Sequence, residues 1–199
     1  IEELPSAAVE RARLEGMLSQ DQSAIEKECL ENPLSKHVLH GLAYTVGSAL
    51  GSDPPTREEC FSAFTAVPGK SRLTAGAKAL AKHAHRSGVG GGESAGWWGK
   101  QPTGPVVGIN ERAVLLFATV MDRATWRNLH WLPHQVLVYE VRVEGGYGMR
   151  WSQDRSRGGG ETGGDDAGIT RGVVDALPWM FRGFVEPMMD NGHEIGWRH

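Results

Sequence analysis

Eight histidines fall in close pairs, His37/His40, His83/His85, His130/His134 and His193/His199. Imidazole is the side chain whose ordinary pKa lies nearest working pH, so such pairs suit either metal binding or proton transfer. Metal binding fits poorly. His37 and His40 share one side of a helix, but His83 and His85 do so only on a strand or at a helix end. His130 and His134 straddle Pro133, and neither an HExxH motif nor a cysteine-based zinc pattern occurs. No metal ligand set is therefore expected, and no cofactor is assigned. Acid–base chemistry on a phosphodiester fits better. The run Lys82-His83-Ala84-His85-Arg86-Ser87 is dense in suitable groups. It makes His83 and His85, joined by His193, the expected catalytic residues, with Arg86 balancing phosphate charge. The competing account is a solvated helix C-terminus, where Lys, His and Arg suit the negative end of the dipole.

Arginines supply the second constellation. If three strands over 135–143, 147–152 and 179–186 are neighbours, their alternation puts Glu140, Arg142, Arg150, Arg182 and Glu186 on one face. Tyr139, Val141, Trp151, Phe181 and Val185 then line the other, against helices. Cross-strand ion pairs alone would account for such a face. Three guanidinium groups against two carboxylates leave surplus positive charge, and a planar fork beside an aromatic ring suits a phosphate and its base. The expected ligand-binding set is Arg86, Trp98, Arg142, Tyr147, Arg150, Trp151, Arg182 and Trp197. Nucleotide motifs fail: Gly69-Lys70-Ser71 ends like a P-loop, but Phe64 stands where its first glycine is required.

The elements that must position these groups divide the chain. Ser6 can cap a first helix with Val9, Leu14, Met17 and Leu18 at near-helical spacing, and a second runs from Asp21 to Leu30. Apolar residues recur every three to four positions from Leu34 to Leu50. Thr56 and Glu59 form a capping box for the next helix. Helices over 73–86 and 110–121 follow, separated by a glycine-rich loop. After Pro133 the period switches to two. Residues 154–176 read as a glycine-rich insertion. Helices first and strands afterwards predict an α+β fold, with N-terminal helices followed by a small, mostly antiparallel sheet packed against helices.

Charge follows the same division. Residues 1–69 carry 5 basic and 11 acidic side chains, a balance of −6. Residues 70–157 carry 13 against 6, or +7, and residues 158–199 carry 3 against 7, or −4. We read 199 residues as a single domain with an acidic helical part at 1–68 and a basic α+β core at 69–199. Cys29 and Cys60 read as reduced thiols, and no apolar run is long enough to span a membrane. No basic-then-apolar leader pattern stands at Ile1, so a cytoplasmic or nuclear location is expected.

The blocks GAKALAKHAHRS (76–87), WWG (97–99), EVRVEGGYGMRW (140–151) and FRGFVEPMMDNGHEIGWRH (181–199) together resemble an uncharacterised eukaryotic family with that order of blocks. The resemblance touches most of residues 73–199 and brings no activity with it. Its RW and FRGF blocks stand close together, whereas about thirty residues separate them here, which marks 154–176 as an insertion.

Three functions are thus expected to compete. The first is binding of, or chemistry on, an anionic ligand, with RNA or a nucleotide preferred over another phosphorylated small molecule. The second is a histidine-based hydrolase or transferase, with or without metal. The third is a non-catalytic module that meets a protein partner through residues 1–68.

Overall fold

The computed structural model of the protein describes residues 2–19, 27, 31–84, 96–156 and 177–187. Among them are helices α1 (Pro5–Leu18), α2 (Pro33–Leu39), α3 (Arg57–Thr65), α4 (Ala75–His83) and α5 (Val106–Asp122). Strands β1 (Ala124–Leu132), β2 (Val136–Val143), β3 (Gly148–Asp154) and β4 (Met180–Val185) follow, forming one antiparallel sheet in the order β1-β2-β3-β4. The fold is α+β. No helix among the described residues is long and apolar enough to cross a membrane. The expected helix at 21–30 and most of the expected insertion at 154–176 lie outside the described residues.

Two compact units divide the chain, and strands contribute to both. The first comprises Ile1–Cys60, Asn128–Tyr139 and Trp151–Met180. Here α1 starts at Pro5, with Leu4 rather than Ser6 before it. Its buried face is Ala7, Glu10 and Leu14, while Val9 and Leu18 are exposed. Glu10 is the reason: its carboxylate accepts from Arg13 Nη2 (2.7 Å) and from Ser35 Oγ of α2 (2.6 Å), and a satisfied carboxylate can be buried. Asn32 caps α2, accepting from the backbone N–H of Leu34 and Ser35.

The helical spacing over Leu34–Leu50 is only half realised. α2 ends at Leu39, and Gly41 turns the chain with φ +69°. Residues 47–49 then pair with β1: Ala49 N–H donates to Leu129 O, Trp131 N–H donates to Gly47 O, and Ser48 bridges His130. Backbone pairing that covers an edge strand outweighs local helical preference. Asn128 completes the join, donating to Thr45 Oγ1 (2.8 Å) and accepting from Ser48 Oγ (3.1 Å). β1 itself escaped the sequence reading because Trp126, Arg127, Asn128 and His130 break any apolar alternation.

The second unit comprises Phe61–Arg127, Glu140–Arg150 and Phe181–His199. Next to it in sequence, the capping box forms as expected. Thr56 N–H donates to Glu59 Oε2 (2.7 Å), and Glu59 N–H to Thr56 Oγ1 (3.1 Å). Phe64 is the centre of the unit's core, within 5.1 Å of the Phe117 ring and 4.8 Å of Phe181. Phe184 also faces Phe64 (6.4 Å), although residues three apart on a regular strand point to opposite sides. Gly183 between them, at φ +131°, resets the alternation. Phe184 therefore takes the inward place expected of Val185.

β2 is buried along both faces from Leu137 to Val143, so Glu140 and Arg142 lie under cover rather than on an open face. Adjacent to it, a Cβ on Gly148 would stand 1.9 Å from Val141 O. Only glycine lets the two strands approach. Gly148→Ala is expected to destabilise the fold by roughly 1–3 kcal/mol in urea unfolding, as overpacking does. Gly108→Ala, on a helix with nothing within 4 Å of the added carbon, should leave stability unchanged or raise it by up to ~1 kcal/mol.

Candidate functional site

One buried carboxylate gathers two of the second unit's arginines. Glu140 and Arg142 are two apart on β2 and so share a face, and Arg150 approaches from β3. Arg142 Nε donates to Glu140 Oε1 at 2.6 Å. Arg150 reaches the other oxygen, with Nε at 2.7 Å and Nη2 at 2.6 Å from Oε2. Burial by itself would raise the Glu140 pKa. The two guanidinium charges and their hydrogen bonds more than reverse this and hold the carboxyl below its ordinary range.

Arg142 has no freedom left. Its Nη1 also donates to the carbonyl oxygens of Gly146 and of Glu186, the latter at 2.9 Å. Arg150 differs, because its side chain is 41% exposed while that of Glu140 is 2%. One carboxylate balances one guanidinium, so the cluster keeps a positive charge with its accessible part at Arg150.

Glu186 links this cluster to a histidine. Its backbone carbonyl holds Arg142, and its carboxylate Oε1 lies 3.2 Å from His83 Nδ1, both side chains being largely buried. α4 supplies His83 in its last turn, and Thr74 starts that helix by accepting from Ala77 N–H. A carboxylate on Nδ1 fixes the tautomer with Nδ1–H as donor, which leaves the Nε2 lone pair as the basic position.

Aromatic rings surround the imidazole. Phe184 stands edge-on at 5.7 Å and Trp98 at 6.2 Å. Trp98 is 3% exposed and packs on Phe184 at 4.4 Å, so it supports the cluster from within. The neighbouring Trp97 is the more accessible indole, and it stacks on Tyr147 with centroids 5.0 Å apart and planes within 5°.

Of the residues singled out in the sequence, the structure thus brings together His83, Trp98, Arg142, Tyr147 and Arg150. Arg182 is exposed on β4, with neither ion pair nor hydrogen bond among the described residues. Trp151 belongs to the first unit, fully buried, with its indole N–H donating to Cys60 O at 3.0 Å. That indole serves the core. His85, Arg86, His193 and Trp197 lie outside the described residues. Three residues of this arrangement, Glu140, Glu186 and Trp97, lie outside the set of site residues expected from the sequence. In the sequence Glu140 and Glu186 read as neutralising charge, and the tandem Trp97-Trp98 is a visible signal of two adjacent rings.

Two other described histidines, His37 and His40, are occupied. His37 is fully buried with Nε2 3.0 Å from Ala43 O; burial lowers its pKa, partly offset by that carbonyl. His40 lies 3.3 Å from Asp53. No group of three His, Cys, Asp or Glu able to hold a metal occurs among the described residues. Cys60 is buried, which pushes its thiol up to about 12.

Residues 64–159 match the family model of the CdiA C-terminal tRNase toxin domain, a span just under half of the chain. No curated protein and no solved structure matches it. The matched span holds His83, Trp97, Trp98, Glu140, Arg142, Tyr147 and Arg150, and stops short of Glu186. Three of the four sequence blocks fall inside it, and the block at 181–199 falls outside. The match is compatible with RNA-directed chemistry.

Glu140→Gln leaves two guanidinium groups on one neutral partner. It is expected to cost about 3 kcal/mol in urea unfolding at pH 7, as removal of one partner from a buried ion pair does. Because the folded pKa is lowered, the carboxylate's contribution is full above the ordinary value of 4.5 and disappears as pH falls through the folded value. The difference between parent and Glu140→Gln should therefore shrink below pH 4.5 and stay constant above it.

Proposed function

We propose that the chain is a ribonuclease acting on RNA of the transfer-RNA class, with His83 moving the proton. The observation that carries this reading is the His83–Glu186 pair joined through Glu186 to the Arg142–Glu140–Arg150 cluster. A base oriented by a carboxylate, beside surplus guanidinium charge, is what cleavage of a phosphodiester by its own 2′-hydroxyl requires. The family match supports RNA as the substrate.

In this mechanism His83 Nε2 takes the proton of the 2′-hydroxyl as the 2′-oxygen bonds to phosphorus. The bond to the 5′-oxygen breaks, and that oxygen leaves with a proton from an acid. His85 and His193 are the sequence-based candidates for the donor. Products are a 2′,3′-cyclic phosphate and a 5′-hydroxyl. Arg150 faces the phosphate charge, Arg142 holds the Glu186 segment in place, and the Trp97–Tyr147 stack offers a flat surface to a base.

Incubation of the full chain with mixed transfer RNA in EDTA should give discrete fragments ending in cyclic phosphate. His83→Ala should slow cleavage by at least about a hundredfold, the lower end of what general acid–base catalysis contributes, with the circular dichroism spectrum retained. Uncut RNA with the parent protein, or equal cleavage by folded His83→Ala, would contradict the proposal.

A further inference from the structure

The first unit carries a second aromatic–cation pair, unrelated to the residues of the candidate site. Trp131, near the end of β1, is 42% exposed, with Leu132 beside it at 44%. The guanidinium carbon of Arg155 lies 6.0 Å from the Trp131 ring centroid, over its face. Large exposed apolar rings are costly to leave in water, and a planar cation beside one marks a surface for another planar group.

The position of Arg155 is built. Gln153 is 5% exposed; its Nε2 donates to Leu177 O at 2.7 Å, which turns its Oε1 toward Arg155 Nε, also at 2.7 Å. The backbone N–H of Arg155 donates to Gln135 O (3.0 Å) in the β1–β2 turn. Those contacts orient the guanidinium without neutralising it. The neighbouring Asp154 turns its Oδ1 to Ser156, accepting from the backbone N–H (2.9 Å) and from Oγ (2.6 Å). Arg155 makes no ion pair with a carboxylate among the described residues.

The turn beside this pair is held in an unusual shape. His134 and Gln135 have φ +64° and +57°, the left-handed region that most residues avoid, and both side chains are exposed. Trp131 stands just before this turn, and Arg155, which follows β3, is joined to it through the Gln135 carbonyl.

We propose that Trp131 and Arg155 form a contact for a single-stranded segment of RNA, separate from the residues that cut it. A base stacks on the exposed face of Trp131, and the Arg155 guanidinium meets the adjoining phosphate. The charge decides for a nucleic-acid strand over an apolar partner: a guanidinium with no carboxylate partner among the described residues would be buried at a loss under an apolar surface, whereas a phosphate pairs with it. Stacking on an indole is indifferent to base identity, so this contact adds affinity and little sequence preference.

The proposal rests on the RNA reading above, and its test separates the two. Binding of a fluorescent oligouridylate of roughly eight nucleotides, within the length one aromatic and cationic groove covers, is measured with the full chain carrying His83→Ala, so that no cutting occurs. Trp131→Ala added to it should weaken binding about tenfold, and Trp131→Phe, which keeps a π-face, should restore most of the loss. Arg155→Gln should weaken binding and flatten its salt dependence. In the chain with His83 intact, Trp131→Ala should raise KM for transfer RNA with kcat unchanged. Equal binding by folded Trp131→Ala, or no oligouridylate binding by the parent at low salt, overturns this contact. Absence of cleavage by the chain with His83 intact overturns the ribonuclease reading instead, and the binding series still decides this one.

Discussion

A single carboxylate shared by two arginines is the constraint on which the second unit depends. Glu140 is inside the protein, and a buried carboxylate is tolerable only because Arg142 and Arg150 occupy both of its oxygens. Once fixed, Arg142 spends its remaining donors on the Gly146 and Glu186 carbonyls, which ties the β2–β3 turn to the segment after β4. That tie sets the place of the Glu186 carboxylate, and with it the orientation of the His83 ring. The turn also presents Tyr147, on which Trp97 stacks. Geometry near the imidazole is thus inherited from an ion pair several side chains away.

The same arrangement explains how a cluster can be structural and still carry charge. Full neutralisation would need two carboxylates for two guanidinium groups. Here the second acidic side chain, Glu186, is turned to His83 instead. Arg142 is enclosed and serves the fold, whereas Arg150 is accessible and retains the surplus. Cross-strand pairing accounts for Arg142 in full, whereas Arg150 is paired and still accessible.

Much of this was legible in the residues themselves. Period-two spacing placed Glu140 and Arg142 on one face, with Arg150 on a partner strand, and the Thr56/Glu59 box is a local hydrogen-bond pattern that needs no tertiary help. What escaped depends on contacts distant in sequence. β1 has no apolar alternation, and its buried Asn128 is satisfied by bonds to Thr45 and Ser48, 83 and 80 positions earlier in the chain. The helical spacing after Leu39 yields to pairing with that same strand. Gly183 shifts the phase of β4, an effect of one dihedral angle that no hydrophobic pattern reveals. Trp151 and Trp98 looked like ligand rings by composition, yet burial commits both to packing.

The claim that one guanidinium charge is left over for RNA is tested most directly by the salt dependence of RNA binding. Affinity for a single strand falls with salt in proportion to the phosphates neutralised, by about 0.7 in logarithmic slope for each. Arg150→Gln in the His83→Ala chain should reduce the slope by about that amount while the protein stays folded. An unchanged slope would mean that Arg150 serves Glu140 alone, and the account of the site would fail.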